Sequence, residues 1–250
     1  MIESFSSLCD DFYHDMHINT ELDLPANRDT ILTFFERIRK QYPSMGNFYR
    51  KESGDFCLEE DRAKGNWRHV TVEMDRLWSG YANPASFEDS YDLHILNLEL
   101  APYMLGISPL DINSLDLTFA MDFSYSGNHD EVIADALLAG SSFGTLLDKA
   151  DARATGFSPI FTVALSADNK LQGRVAVESR TSSESHNTGR CETSEPISLY
   201  FTVRRYPRPD EQFDALAALR QLSSIGEELM SEKIIPNFVK PLSGAIAQRR

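Results

Sequence analysis

The chain has 250 residues, 42% hydrophobic and 10% aromatic, a globular composition with room for one large domain or two small ones. Its 24 basic and 38 acidic residues give a net charge of −14, which repels phosphate backbones and anionic lipid; the short basic groups Arg37/Arg39/Lys40 and Arg204/Arg205/Arg208 lie beside acids or prolines. No run approaches the roughly 18 apolar residues of a membrane span, the N-terminus MIESFSSLCDDFYHD lacks a secretory pattern, and three widely spaced cysteines suit reduced thiols, so the expectations are no nucleic acid, no membrane and a cytoplasmic location.

Residues 1–16 are polar and unpatterned and read as an N-terminal arm. From His17, Ile18, Thr20, Leu22 and Leu24 alternate with polar residues, the period of a half-buried strand. Asn27 then caps a helix striped by Ile31, Phe34, Phe35, Ile38 and Tyr42, and Pro43 stops it. Strands are expected at Phe56–Glu60 and Arg68–Asp75, joined by the polar hairpin connection DRAKGNW. The segment RLWSGYANP reads as an aromatic-rich loop.

Ser86 to Met104 is expected to be helical, with Tyr91, Ile95, Leu96, Leu98, Leu100 and Tyr103 forming wide apolar faces. Leu115 to Tyr125 alternates without a fault and is the strongest strand signal. Asn128 opens a helix carrying Val132, Ile133, Ala136 and Leu137. Strands follow at Pro159–Ser166, Leu171–Ser179 and Ile197–Tyr206, with a long polar loop at 181–196 that holds Cys191. Asp210 is read as the cap of a last helix running through Phe213, Leu216, Leu219, Leu222, Ile225 and Leu229, after which Pro236 and Pro241 break up the tail.

Two pairs of segments match in the same order. LDLPANRDTI (22–31) parallels MDFSYSGNHDEV (121–132), and VTVE (70–73) parallels VAVE (175–178), each of the latter followed by an arginine, Arg76 or Arg180. The fold class expected is therefore α+β: two related lobes of antiparallel sheet with helices packed on one face, built as tandem β-α-β-β-(β)-α units. The lobes are placed at 17–108 and 109–235, with a proline-interrupted tail at 236–250. Asn27 and Asn128 are assigned as helix caps, and Asp29 and Asp130 as first-turn carboxylates favoured by the helix dipole.

Chemical sites are few. Acidic rows such as Asp116/Asp122 fit a cation surface or simply the solvated side of a sheet, and HDMH at 14–17 lacks the further ligands of a zinc site. No nucleophile elbow, phosphate-binding loop or metal-hydrolase motif is found, so no catalytic residue, metal or cofactor is assigned. His69 and Glu73, four apart on an expected strand, point the same way and could form an oriented acid–base pair. With Arg76, Glu178 and Arg180 they are the candidate ligand-binding residues. Trp67, Trp78, Tyr81 and Phe87 form a candidate interaction patch. The function expected is non-catalytic binding or scaffolding through a protein partner or self-association. The alternative is a small-molecule-binding domain or enzyme with its pocket between the sheet and the C-terminal helix.

Overall fold

The computed structural model describes residues 7–181 and 195–249. Most of the long polar loop, with Cys191, lies outside the described residues.

The protein is α+β, and its strands form one antiparallel sheet. Strand β1 (Asp11–Thr20) leads to helix α1 (Arg28–Gln41), strands β2 (Asn47–Arg50), β3 (Phe56–Glu59), β4 (Trp67–Val72) and β5 (Arg76–Ala82), and helix α2 (Phe87–Met104). Strand β6 (Ile112–Phe123) leads to helix α3 (His129–Leu138), strands β7 (Ile160–Ala164), β8 (Leu171–Glu178) and β9 (Ile197–Arg205), and helix α4 (Ala215–Leu229). A π-helical stretch (Met230–Val239) and helix α5 (Lys240–Arg249) complete the chain. The sheet order is β2-β3-β4-β5-β1-β6-β9-β8-β7. The two expected lobes are thus halves of a single sheet, joined where β1 pairs with β6 along its whole length.

Helices cover one face. Met16, Ile18, Leu115, Leu117, Phe119, Phe201 and Val203 are buried there beneath α2 and α4. Gly226 of α4 sits directly on the Phe119 ring, where a Cβ would press into it; glycine lets the helix approach that closely. α1 buries Ile31, Phe34, Phe35 and Ile38, the stripe set by its helical spacing.

Several boundaries differ from the sequence reading, and β2 lies where no strand was expected. β1 begins at Asp11, inside the expected arm, and ends before Leu22, which is 69% exposed. β1 is central, and His14 interrupts its helix-side row of Phe12, Met16 and Ile18, which weakens the period-two pattern. β5 occupies the segment read as a loop, because Ser79 and Gly80 interrupt the apolar signal inside it. Asp214, not Asp210, caps α4, accepting from the Ala217 N–H. The tail is not broken: Pro236 falls within the π-helical stretch and Pro241 at the second position of α5. A widened turn accommodates a proline ring, and α5 continues directly from that stretch, so Pro241 removes one N–H from the run without ending it.

α2 is covered less evenly than its wide apolar faces suggested: Leu98 is buried, but Tyr103 is exposed. Ser90, His94 and Asn97 are fully buried against the sheet, while Tyr91, Ile95, Leu96 and Leu100 are only partly buried. His94 Nδ1 lies 2.8 Å from the Ser79 hydroxyl, and His14 of β1 lies between His94, Phe87, Tyr91 and Phe119.

Both expected caps sit at helix N-termini. Asn27 accepts from the Thr30 N–H at 2.9 Å and Asn128 from the Glu131 N–H at 3.2 Å. Their following carboxylates differ. Asp29 is exposed, as a dipole-favoured group can be, whereas Asp130 is buried and accepts from the Phe157 N–H at 2.8 Å. Asp130 therefore ties down the chain leading into β7, a long-range role that the dipole argument did not supply.

Candidate functional site

The face of the sheet away from the helices carries two adjoining clefts, of about 260 and 620 Å³. Strand residues line them almost entirely, joined by Lys51, Arg62 and Arg180 from the connections. Because side chains alternate across a strand, the register of the ladders defines what each row of the floor presents.

The central row is polar from edge to edge. It runs from Asn47 through Glu59, His69 and Gly80 to Asp15, and on through Thr118, Thr202 and Arg174 to Thr162. A neighbouring row alternates large and small: Trp67, Ala82, Tyr13, Ala120, Tyr200, Ala176 and Ile160. On the other side, Trp78, His17, Asp116 and Arg204 are consecutive neighbours.

Asp15 and His69 come together across a strand. Both are opposite Gly80, and a Cβ on that residue would overlap Asp15 Oδ1 and His69 Nε2. With hydrogen in its place, the carboxylate and the imidazole lie 3.5 Å apart. His69 is flanked by Trp78, edge-on at 4.6 Å, and by Trp67 at 5.0 Å. Cations lie over both indoles: Arg62 is 4.4 Å from the Trp67 ring and Lys51 is 5.6 Å from Trp78.

Most charges of the floor are already engaged. Arg204 grips Asp116 with two bonds, of 2.6 and 2.5 Å, and Asn19 donates to the same carboxylate at 3.4 Å. Ser198 donates to Asp122 at 2.5 Å; burial pushes the Asp122 carboxyl upward against the pull of that bond and of Arg180. Arg180, in the left-handed conformation at φ 52°, donates to the Tyr200 hydroxyl at 2.9 Å and faces Glu195 at 3.3 Å. Burial holds the His17 imidazole down at about 4, although Asp15 and Asp116 pull it upward, so the ring is neutral at physiological pH. Burial also raises the Tyr13 phenol, with Asp122 and Asp11 adding to it. The acidic row expected to be solvated is thus a compensated floor, with Asp116 5% exposed. Among the described residues no cluster of three or more metal-ligating side chains forms.

The residues singled out from sequence divide. His69, Arg76, Glu178 and Arg180 line the clefts. Glu73 does not join His69: β4 ends at Val72, the chain turns, and Glu73 lies 3.6 Å from Arg76 instead. The carboxylate beside His69 is Asp15, which was assigned to the arm. The aromatic patch is cut in two by the sheet. Trp67 and Trp78 line the clefts, while Tyr81 and Phe87 are buried on the helix side, Tyr81 beneath the Arg68 guanidinium at 4.1 Å. The location expected for a small-molecule pocket does hold a cavity, of about 530 Å³ at the start of α4, but Ile18, Leu98, Ile107, Ile112 and Phe213 make it largely apolar and none of the candidate ligand residues lines it.

Tyr13, Asp15, Tyr200 and Arg174 were not among the candidate ligand residues, Asp15 entering only within the HDMH segment set aside as a metal site. The signal for the first two was the alternation of Phe12, Met16 and Ile18, which places Tyr13, Asp15 and His17 on one face. An isolated glycine in a strand-like run, as at Gly80, also marks a close approach.

No family model matches the chain, and no curated protein matches its sequence. Among the described residues, no helix is long and apolar enough to cross a membrane.

Proposed function

We propose that this is a non-catalytic binding protein that receives a segment of a partner protein on the face of its sheet away from the helices. The observation that supports this reading most is the composition of the floor. Aromatic rings alternate with alanines across the strands, giving rigid contact area with gaps between the rings, the material from which interface hot spots are made. Most of the charges beside them are paired within the chain, so they set orientation and exclude mismatched partners.

The chain contains two tryptophans, and both line these clefts, so indole emission reports occupancy directly. Proteins retained from native extract by the wild type should shift that emission saturably, and Tyr13→Ala and Tyr200→Ala should each weaken their binding at least tenfold. Retention that is equal for all three proteins, with unchanged emission, would remove the proposal.

One observation favours a second reading, a small-molecule site with acid–base chemistry. Asp15 is placed to orient His69 at the wall of the smaller cleft, as a carboxylate does for a catalytic imidazole. A ligand of that cleft found by thermal-shift screening would stabilise by ~2.7 kcal/mol at a hundred times its dissociation constant. His69→Gln should then abolish turnover while leaving binding.

The paired segments also support reading the two halves as products of duplication. VTVE and VAVE lie in or at the ends of β4 and β8, and these strands hold mirrored places about the β1–β6 seam.

A further inference from the structure

The two outer strands of the sheet are built differently. β2, at one edge, ends in Arg50 and is followed by Lys51, and charge at an edge discourages pairing with another chain. β7, at the other edge, reads IFTVA, and all five of its residues are exposed, with Ile160 at 62%, Phe161 at 66% and Val163 at 42%. No charged residue occurs from Ala154 to Ala167, in a protein that carries a net charge of −14.

The backbone parity of β7 is fixed by its ladder. Val177 N–H donates to Pro159 and Leu165 N–H donates to Leu171, while Phe161 stands opposite Val175 and Val163 opposite Gly173. Odd residues therefore bond inward, and the N–H and C=O groups of Ile160, Thr162 and Ala164 point away from the sheet. Such a row is a template for one more strand.

We propose that β7 is a self-association edge, on which a second copy of this chain adds its own β7 antiparallel about a twofold axis at Thr162. This register is self-complementary. Thr162 exchanges both backbone bonds with the partner's Thr162, Ile160 does so with the partner's Ala164, and Phe161 covers the partner's Val163 on the helix side. The strand itself selects the occupant: both copies bring the same bare, uncharged edge, so this register sets no like charges against each other, while the net charge of −14 on each copy keeps the association weak. The pairing also completes the larger cleft. Thr162 lines it at its open end, and the partner's β7 continues that floor.

Sedimentation velocity of the full chain between roughly 1 and 100 µM, the range suited to a small interface, tests the proposal. The wild type is expected to pass from monomer to dimer. Val163→Lys places charge on the paired surface, and Thr162→Pro removes an outward N–H that the chain's own ladder does not use; each should weaken the dimer at least tenfold. Hydrogen exchange supplies a second reading. Dimer formation should slow the Ile160, Thr162 and Ala164 amides at least tenfold and leave those of Phe161 and Val163 unchanged. A wild type that stays monomeric throughout, a dimer indifferent to both substitutions, or a dimer in which the three outward amides exchange as before would each overturn it.

Discussion

Asp15 and His69 belong to strands that are not neighbours, yet their side chains lie 3.5 Å apart because Gly80, on the strand between them, has no side chain. Asp15 is 8% exposed and His69 5%, so the contact is sealed into the floor. Gly80→Ala forces the pair apart. It should cost about 2 kcal/mol, the usual scale of overpacking, and shift indole emission, since His69 packs on both tryptophans. Urea unfolding followed by fluorescence measures both; an alanine variant as stable as the wild type with the same spectrum would contradict this account of the floor.

The Asp116–Arg204 pair is predicted to behave asymmetrically. Removing the cation with Arg204→Met leaves a buried carboxylate, which should destabilise by about 3 kcal/mol. Adding Asp116→Asn to that variant should restore part of the loss, because the amide is neutral and keeps Asn19 as a neighbour. A double-mutant cycle in urea measures the coupling.

Acid should weaken the fold well above the usual carboxylate range. Burial holds His14 at about 3 and His17 at about 4 against an ordinary 6.5, and lowers His94 as well, with His14 and His69 adding to the effect. Below pH 6.5 the unfolded chain takes up protons that the folded chain refuses. Stability is therefore fully present above pH 6.5 and declines as pH falls toward 4. Melting temperatures at pH 7, 6 and 5 should fall progressively.

His14→Leu separates one of these contributions. Both nitrogens of His14 are buried without a hydrogen-bond partner, inside a cage of Phe87, Tyr91, His94 and Phe119. Leucine, close to histidine in volume, should raise stability at pH 7 by about 1 kcal/mol, since an unsatisfied buried polar group costs about that much or more. It should also flatten the acid slope by one proton's worth. Calorimetry at two pH values checks both signs.

The two caps should differ in cost. Asn27→Ala loses one capping bond, worth about 1 kcal/mol. The Asn128 side chain also donates to the Ala154 carbonyl at 3.0 Å, so Asn128→Ala should cost about 2 kcal/mol. It should also loosen the segment before β7, which proteolysis of that segment would show.

The legible parts of the fold were those with one apolar and one polar face. β6, β8 and β9 alternate cleanly, and α1 carries a single stripe, so sequence located them within a few residues. β1 and β5 were obscured for a physical reason. In each, a polar residue breaks the apolar row on the helix side, His14 in β1 and Ser79 in β5, while Asp15 and Arg76 face the clefts, and hydrophobic periodicity loses its contrast where the apolar row is broken. The site suffered likewise. His69 and Trp78 could be suspected singly, but the Asp15 contact depends on pairings between β1, β5 and β4, and register is a tertiary property. α2 misled for a related reason, since its inward face includes the polar side chains of Ser90, His94 and Asn97.

The seam between β1 and β6 has a consequence for biosynthesis. Before β6 is synthesised, β1 can acquire β5 on one side but lacks its neighbour on the other. Met16 and Ile18, buried in the finished protein, then border an open edge until β6 emerges and docks. Nascent chains held at that stage offer a template for mispairing with one another, so slowing translation after α2 should lower soluble yield more than slowing it after β6.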